Sequence, residues 1–299
     1  HDEIVALAAH NGALIIFGKH SIVVYGNAEA PAEMALADTV AGVGCVDRDT
    51  VQYTGTDVLF LSHTGLKSFG RTIQEKSMPI TSLSDTITKD IINLLQNEIS
   101  FYRSVYSPEE GFYLLSFVGQ DVTYCFDVRG TLENGSYRAT RWPGTGFTAY
   151  TRLESGKLYI GTTEGISEYS GYSDNGTKYR FKYYSPGLTF GDPSMLKRVK
   201  KIRPTLVGAN SATVFLKWAY DFDTFYRTAE FTVGNQQPAF YNESEFNVGE
   251  FTGGELTSRR AVNATGGGGV INIGLEADIN GFALSLQEIN VLVLKGKVL

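Results

Sequence analysis

The sequence predicts an all-β protein in two parts: β-propeller-like repeats with one inserted helix near 82–97 over residues 1–177, then a β-sandwich domain over 178–299. Three observations carry this expectation. Glycine is abundant at 33 residues, tyrosine and phenylalanine number 17 and 18, and only one stretch has helical spacing, a combination typical of β-rich chains. A hairpin pattern recurs four times in the first half. From Lys178 onward the apolar residues turn to strict alternation.

The clearest hairpin lies in Leu153 to Ser170. Ser155-Gly156 supplies a turn, Lys157 to Gly161 a short apolar strand, Thr163-Glu164-Gly165 a second turn, and Ile166 to Tyr169 the return strand. Three upstream stretches share this grammar: Leu14 to Phe17 with Ile22 to Tyr25, Val58 to Leu61 with Leu66 to Phe69, and Phe112 to Leu115 with Val122 to Phe126. Counted from Gly12, Asp57, Gly111 and Gly156, the steps are 45, 54 and 45 residues. Propeller blades repeat at roughly 40 to 50 residues, so the period favours blades, with a plain antiparallel meander as the alternative.

Ile4 to Ala9 reads as an extra strand ahead of the first hairpin, and Val51-Gln52-Tyr53 as the start of the second repeat, after Ala- and Gly-rich connecting sequence. The apolar runs here do not alternate, which implies strands buried on both faces. The exception to the β pattern is Ser82 to Asn97. Ile87, Ile91, Leu94 and Leu95 share one helical face, Ser82 or Ser84 is placed to cap the N-terminus, and Asp85 suits the positive end of the dipole. A helix packed on its own domain is the simpler reading than a partner-recognition helix. Arg141 to Gly146 places Trp142 in a Gly/Pro-rich turn, where it is expected to plug the junction between repeats rather than stack on a ligand. Gly171 to Gly176 ends the repeats with strong turn chemistry.

In the second part Tyr179, Phe181 and Tyr183 share a face, as do Val214, Leu216, Trp218 and Tyr220, then Ile271, Ile273 and Leu275, and Ile289, Val291 and Val293. Period-two alternation means one covered face per sheet, hence a sandwich. Gly266 to Gly269 reads as a mobile loop between strands.

The formal charge of -6 argues against tight nucleic-acid binding by the whole chain, because neutralised phosphates supply most of that affinity. Cys45 and Cys125 stand far apart among strand residues and read as buried free thiols. No apolar run approaches the ~20 residues of a membrane span. Beginning at His1 rather than methionine, the sequence reads as a fragment or a processed chain, with room for further repeats upstream.

Catalytic and metal patterns are incomplete. His1, His10, His20 and His63 show no metal-ligand spacing and read as surface residues. Asp221-Phe222-Asp223 lacks the carboxylates and glycine of a calcium loop, and reads as two aspartates opening a turn. The Gly266 run has no following Lys-Ser/Thr, so it is not a phosphate loop, and there is no Gly-x-Ser-x-Gly elbow. Asn134, Asn175, Asn242 and Asn263 sit in glycosylation-type triplets, read as chance in a Ser/Thr/Asn-rich chain. No catalytic, cofactor or metal residues are therefore assigned. The candidate contact residues are Lys197, Arg198, Lys200, Lys201 and Arg203, with Leu196, Val199 and Ile202 at every third position and Pro204 ending the run. A solvated or edge strand guarded by lysines is one reading, and a contact for phosphate or an acidic neighbour the other.

Asp2-Glu3-Ile4-Val5-Ala6-Leu7, Gly12 to Phe17, Ser21 to Tyr25, Leu83-Ser84-Asp85, Gly111 to Leu115 and the late Lys197 strand together resemble the tail nozzle (tail tubular, or DNA-stabilisation) proteins of short-tailed bacteriophages. The resemblance implies a non-enzymatic virion tail protein without cofactors. It implies a homo-oligomeric ring, usually a hexamer, that meets adaptor or portal and fibre proteins and lines the channel through which genomic DNA passes. The chain is shorter than full-length members of that family. The alternative from another class is an extracellular β-propeller that binds or degrades glycans, which needs carboxylates to converge from turns such as those of Glu109, Glu110, Asp121 and Glu164.

Overall fold

The computed structural model describes residues 2–75, 81–96, 101–192, 194–208, 212–233 and 257–298. Among these the chain is all-β, with 23 strands and two short α-helices. It divides into two compact units, His1–Tyr169 and Ser170–Leu299. The Gly171–Gly176 turn follows that division directly, and the boundary drawn from the sequence lies at its far end, after Thr177.

The first unit is a succession of four antiparallel sheets in chain order. β1 (Ile4–His10), β2 (Ala13–Gly18), β3 (Ser21–Gly26) and β4 (Ala35–Ala41) form the first, and β5 (Gln52–Tyr53), β6 (Val58–Ser62) and β7 (Gly65–Ser68) the second. The third holds β8 (Tyr102–Ser107), β9 (Phe112–Phe117), β10 (Val122–Thr131) and β11 (Tyr137–Pro143); the fourth holds β12 (Ala149–Arg152), β13 (Leu158–Gly161) and β14 (Ile166–Glu168). Each of the four repeated hairpins thus sits in its own sheet. Neighbouring sheets share apolar clusters. Phe17 and Ile15 meet Val58 and Phe60; Leu59 and Leu61 meet Tyr113, Leu115 and Phe117; Phe112 and Leu114 meet Leu158 and Ile160.

This arrangement explains the apolar runs that do not alternate. Along β6, Val58 and Phe60 serve the cluster with the first sheet, while Leu59 and Leu61 serve the cluster with the third. All five β6 residues and all six of β9 are buried, as both-face burial requires. Over residues 4–26, for which the sequence predicts it, burial is one-sided: Ile15, Phe17, Ile22 and Val24 are buried, Leu14, Ile16 and Val23 are half-buried, and Ile4 and Leu7 of β1 are 63% and 62% exposed. β1 is the edge of the first sheet and packs toward one neighbour only.

The helical segment is shorter than its sequence pattern. A 3-10 turn at Asp85–Ile87 precedes an α-helix (α2) at Thr88–Leu95, and Asn97 lies outside the described residues. Neither Ser82 nor Ser84 caps it. Their hydroxyls are taken by β7 instead: Leu66 N donates to Ser84 Oγ at 3.0 Å, and Ser82 Oγ donates to Leu66 O at 3.2 Å. Ile91 is buried in the cluster between second and third sheets, with Ile87, Leu94 and Leu95 against it, so the helix covers its own domain. A helix absent from the sequence reading, α1 (Phe69–Gln74), begins where a strand was expected to end. Ser68 caps it, accepting from Arg71 N, and Asp57 accepts from Gly70 N at 2.9 Å. Arg141, Trp142 and Pro143 also prove to be strand, paired with β10. Trp142 nonetheless fills a junction, stacking on Tyr169 at 6.4 Å and packing on the cluster of third and fourth sheets.

In the second unit, β15 (Tyr179–Tyr184) opens one sheet and β16 (Met195–Gly208) the other. β17 (Ala212–Tyr220) and β18 (Arg227–Val233) follow, then β19 (Thr257–Arg259), β20 (Val262–Asn263), β21 (Gly267–Gly268), β22 (Ile271–Ile279) and β23 (Leu284–Val298). The first sheet runs β15-β22-β17-β18; in the second, β16 pairs β23 on one side and β19, β20 and β21 on the other. One core cluster draws on both sheets: Val214, Leu216, Trp218, Ile271, Ile273 and Leu275 with Val199, Ile202 and Leu206, and Ile289, Val291 and Val293 packed alongside. The alternation read from sequence is the inner face on β17, β22 and β23; on β15 only Phe181 packs on the cluster, while Tyr179 and Tyr183 are 40% and 42% exposed.

The opposite face of the first sheet carries an ion network. Glu276, 6% exposed, accepts from Lys217 Nζ at 2.7 Å, Arg180 Nη2 at 2.8 Å and Tyr184 OH. Arg180 also pairs with Asp278 at 2.8 Å and lies 4.2 Å over the Phe215 ring. Gly274 makes room for this: a Cβ there would stand 2.5 Å from the Tyr184 ring.

Candidate functional site

The five candidate cations lie on β16, which is interior to its sheet rather than an edge strand. The expectation of an exposed edge is thus corrected: both sides of the strand are paired, so the lysines do not guard a free row of amides. The three-residue spacing has a local cause. Val199 faces Val293 and Lys201 faces Leu292, leaving Lys200 as the extra residue of a β-bulge. One inserted residue shifts the alternation, so Val199 and Ile202 both turn to the core. Leu196 stays outside that cluster.

The bulge sorts the cations. Arg198, Lys200, Lys201 and Arg203 are exposed, whereas Lys197 is fully buried. Lys197 Nζ donates to the carbonyls of Gly269, at 3.1 Å, and of Asp192. It fastens the glycine run, which is no free loop: Gly267 and Gly268 pair with Arg198 and Lys197. A Cβ on Gly268 would stand 2.5 Å from the Asp221 carboxylate and 2.8 Å from Tyr220 Cβ, so only glycine permits this approach. Asp221 completes the fastening, accepting from Gly269 N at 2.7 Å and Val270 N at 3.0 Å. It does open a turn, with φ of 51° followed by 62° at Phe222.

Two of the original five candidates therefore have opposite expected behaviour. Lys197→Met leaves the buried Gly269 carbonyl without this donor and is expected to cost about 1–3 kcal/mol. Lys201→Glu, on the exposed face, is expected to stay within about 0.5 kcal/mol of the parent. Urea unfolding of both variants checks this.

Cross-strand register defines what surrounds the exposed cations. Arg198 lies opposite Leu294, Lys201 opposite Leu292, Arg203 opposite Asn290, and Thr205 opposite Glu288 and Arg259. Directly opposite residues share a face at about 5 Å between Cβ atoms. Leu292 and Leu294 are 54% and 49% exposed there. Among the described residues, Arg198, Lys200, Lys201, Arg203 and Arg259 make no ion pair, in contrast to Arg180 and Lys217 on the other sheet. Thr205 is 6% exposed on this same face, and its Oγ1 has no hydrogen-bond partner.

Of the acids named for a glycan-cleaving mouth, Glu109 and Asp121 lie at opposite ends of β9. Glu109 is held by Arg152 Nη1 at 3.1 Å, just before β9, with its carboxyl below the usual range. Asp121 lies beyond the other end of β9, accepting from Gly146 N at 2.7 Å. Six strand residues separate them, on the order of 20 Å. Glu164 occupies an exposed turn in the fourth sheet.

The structure also brings together residues the sequence kept apart. His20 and His63, from the turns of the first and second sheets, stack at 5.8 Å and are exposed. His10 is not a surface residue: it is half-buried with its ring edge-on to Tyr53 at 5.6 Å. His1 lies outside the described residues. Among the described residues no group of three His, Cys, Asp or Glu is placed to hold a metal ion. Cys45 and Cys125 are free thiols, and burial pushes them up to about 11 and about 12. Such thiols are poor nucleophiles. Asn134 is tied down by its own loop, accepting from Ser136 Oγ at 2.7 Å, and Asn242 lies outside the described residues. No helix among the described residues is long and apolar enough to cross a membrane.

These features define an antiparallel all-β protein whose second unit bears a cationic sheet face studded with leucine. No family model and no curated protein matches the chain. Among solved structures, the crystal structure of a Bacillus thuringiensis Cry1Da tryptic core variant is similar over 99% of this chain and 52% of its own, at 10% identity and a TM-score of 0.22. The chain spans about half the length of that structure. A likeness of this strength carries no argument about fold or function.

Proposed function

We propose that the chain is a structural subunit of a short-tailed phage virion, a ring-forming nozzle component that lines the channel for DNA exit. In this reading the four sheets of the first unit are stacked propeller blades and the second unit is a β-sandwich. The observation that carries it is the succession of sheets joined by shared apolar clusters, each headed by one copy of the repeated hairpin. The sequence resemblance supplies the rest: a ring of six, contacts with adaptor or portal and with fibres, and transient passage of genomic DNA.

Charge supports a conduit. The first unit has 20 Asp and Glu against 12 Lys and Arg, and the second 12 against 14. A channel lined by the acidic surplus repels phosphate and lets DNA slide, whereas a basic lining would release counterions and grip. The test is imaging of the particle with a labelled antibody to the chain, alongside negative-stain images of the purified protein. The expected result is a ring centred on the tail axis with carboxylates toward the lumen. Label away from the axis, or glycan turnover lost on Glu109→Gln or Glu164→Gln, would sink this reading.

A further inference from the structure

Two exposed surfaces of the chain are complementary in kind. On the second unit, Arg198, Lys201, Arg203 and Arg259 surround Leu292 and Leu294, with Glu288 the acid at the margin. On the first unit, β4 is a sheet edge, and residues 31–37 leading into it are all exposed. That edge presents Met34 and Leu36, 41% and 60% exposed, next to the exposed Glu33, which makes no ion pair among the described residues.

We propose that the cationic face of β16 and β23 in one copy of this chain receives the acidic, apolar β4 edge of a second copy. The proposal rests on the ring-subunit reading and names its contact. Leucines set between the cations favour protein over nucleic acid, since a phosphate backbone offers aliphatic side chains nothing while an interface centre is apolar with a charged rim. β4 carries no lysine or arginine that would repel those cations. The two surfaces differ, so the contact is heterologous: it closes into a ring or runs on as a filament, and each copy uses both surfaces once.

Charge reversal on the full chain tests this. Lys201→Glu with Arg203→Glu, and separately Glu33→Lys, should each weaken self-association by roughly tenfold or more, because like charges then face each other. Mixing the two variants restores opposite charges at every contact, so the mass seen by analytical ultracentrifugation should return to that of the parent. Circular dichroism melts matching the parent exclude misfolding, and the parent's own association should weaken with added salt. A parent chain that stays monomeric at its highest attainable concentration overturns the proposal. Association that survives both reversals overturns the assigned surfaces while leaving a ring, judged by imaging of particles, intact. Salt-dependent binding of duplex DNA, lost on Lys201→Glu, would assign the face to nucleic acid and overturn it too.

Discussion

Replacing Glu276 with alanine is expected to lower the stability of the second unit by about 3 kcal/mol at neutral pH. Burial alone raises this carboxyl. Hydrogen bonds from Lys217, Tyr184 and Arg180, together with the charge of Lys217, outweigh that and hold it at about 2. Against an ordinary value of 4.5, the depression corresponds to about 3 kcal/mol at 1.36 kcal/mol per pH unit. A depressed carboxyl contributes stability that is complete above its unfolded value and is lost as pH falls through the folded one. The parent should therefore lose this contribution between about pH 4.5 and 2, and Glu276→Gln should remove that part of the acid sensitivity. Urea midpoints at pH 7 and pH 3 decide the matter. Equal losses in parent and Glu276→Gln over that interval would show that the network does not govern acid stability.

None of this network was legible in the sequence, whereas the opposite face of the same strands was. Ile271, Ile273 and Leu275 announce themselves by alternation because burial of every second residue is a local property of a pleated strand. Arg180 meets Glu276 only because β15 pairs with β22 across 96 residues, and register of that kind is decided by tertiary packing. The hairpins were readable for the same local reason. The helix was readable in its apolar face but not in its caps, since Ser82 and Ser84 had a competing use on β7 that no local rule reveals.

The candidate site shows the same division. Basic residues at 197 to 203 with apolar residues between them could be seen, and the three-residue spacing was the visible trace of a β-bulge. Which cation turns inward could not be seen, because Lys197 is buried by a glycine run 70 residues downstream that had read as a loop. Leu292 and Leu294 fell on the uncovered face by the alternation of Ile289, Val291 and Val293, but nothing in the sequence marked them as part of the cationic surface. Pairing with β16 sets them opposite Lys201 and Arg198, a neighbourhood decided by register and not by local pattern.

The largest effect is expected at the contact between the first and second sheets. Phe17 of β2 and Phe60 of β6 are both fully buried, with ring centroids 4.8 Å apart. Phe60→Ala removes most of a large, fully buried side chain from the cluster it shares with Val58, Phe69 and Ile15. The expected cost is about 3–5 kcal/mol, a large share of the roughly 5–15 kcal/mol that holds a domain folded. If the sheets are stacked units of one cooperative body, hydrogen exchange in Phe60→Ala should quicken together across β2, β3 and β6, although β2 and β3 carry no substitution. A double-mutant cycle with Phe17→Ala should return a coupling of about 0.5–1.5 kcal/mol, the surplus of an aromatic pair over the area it buries. Exchange that quickens only in β5, β6 and β7, with additive losses in the double variant, would mean that the sheets fold independently and that the stacked-repeat reading of the first unit is wrong.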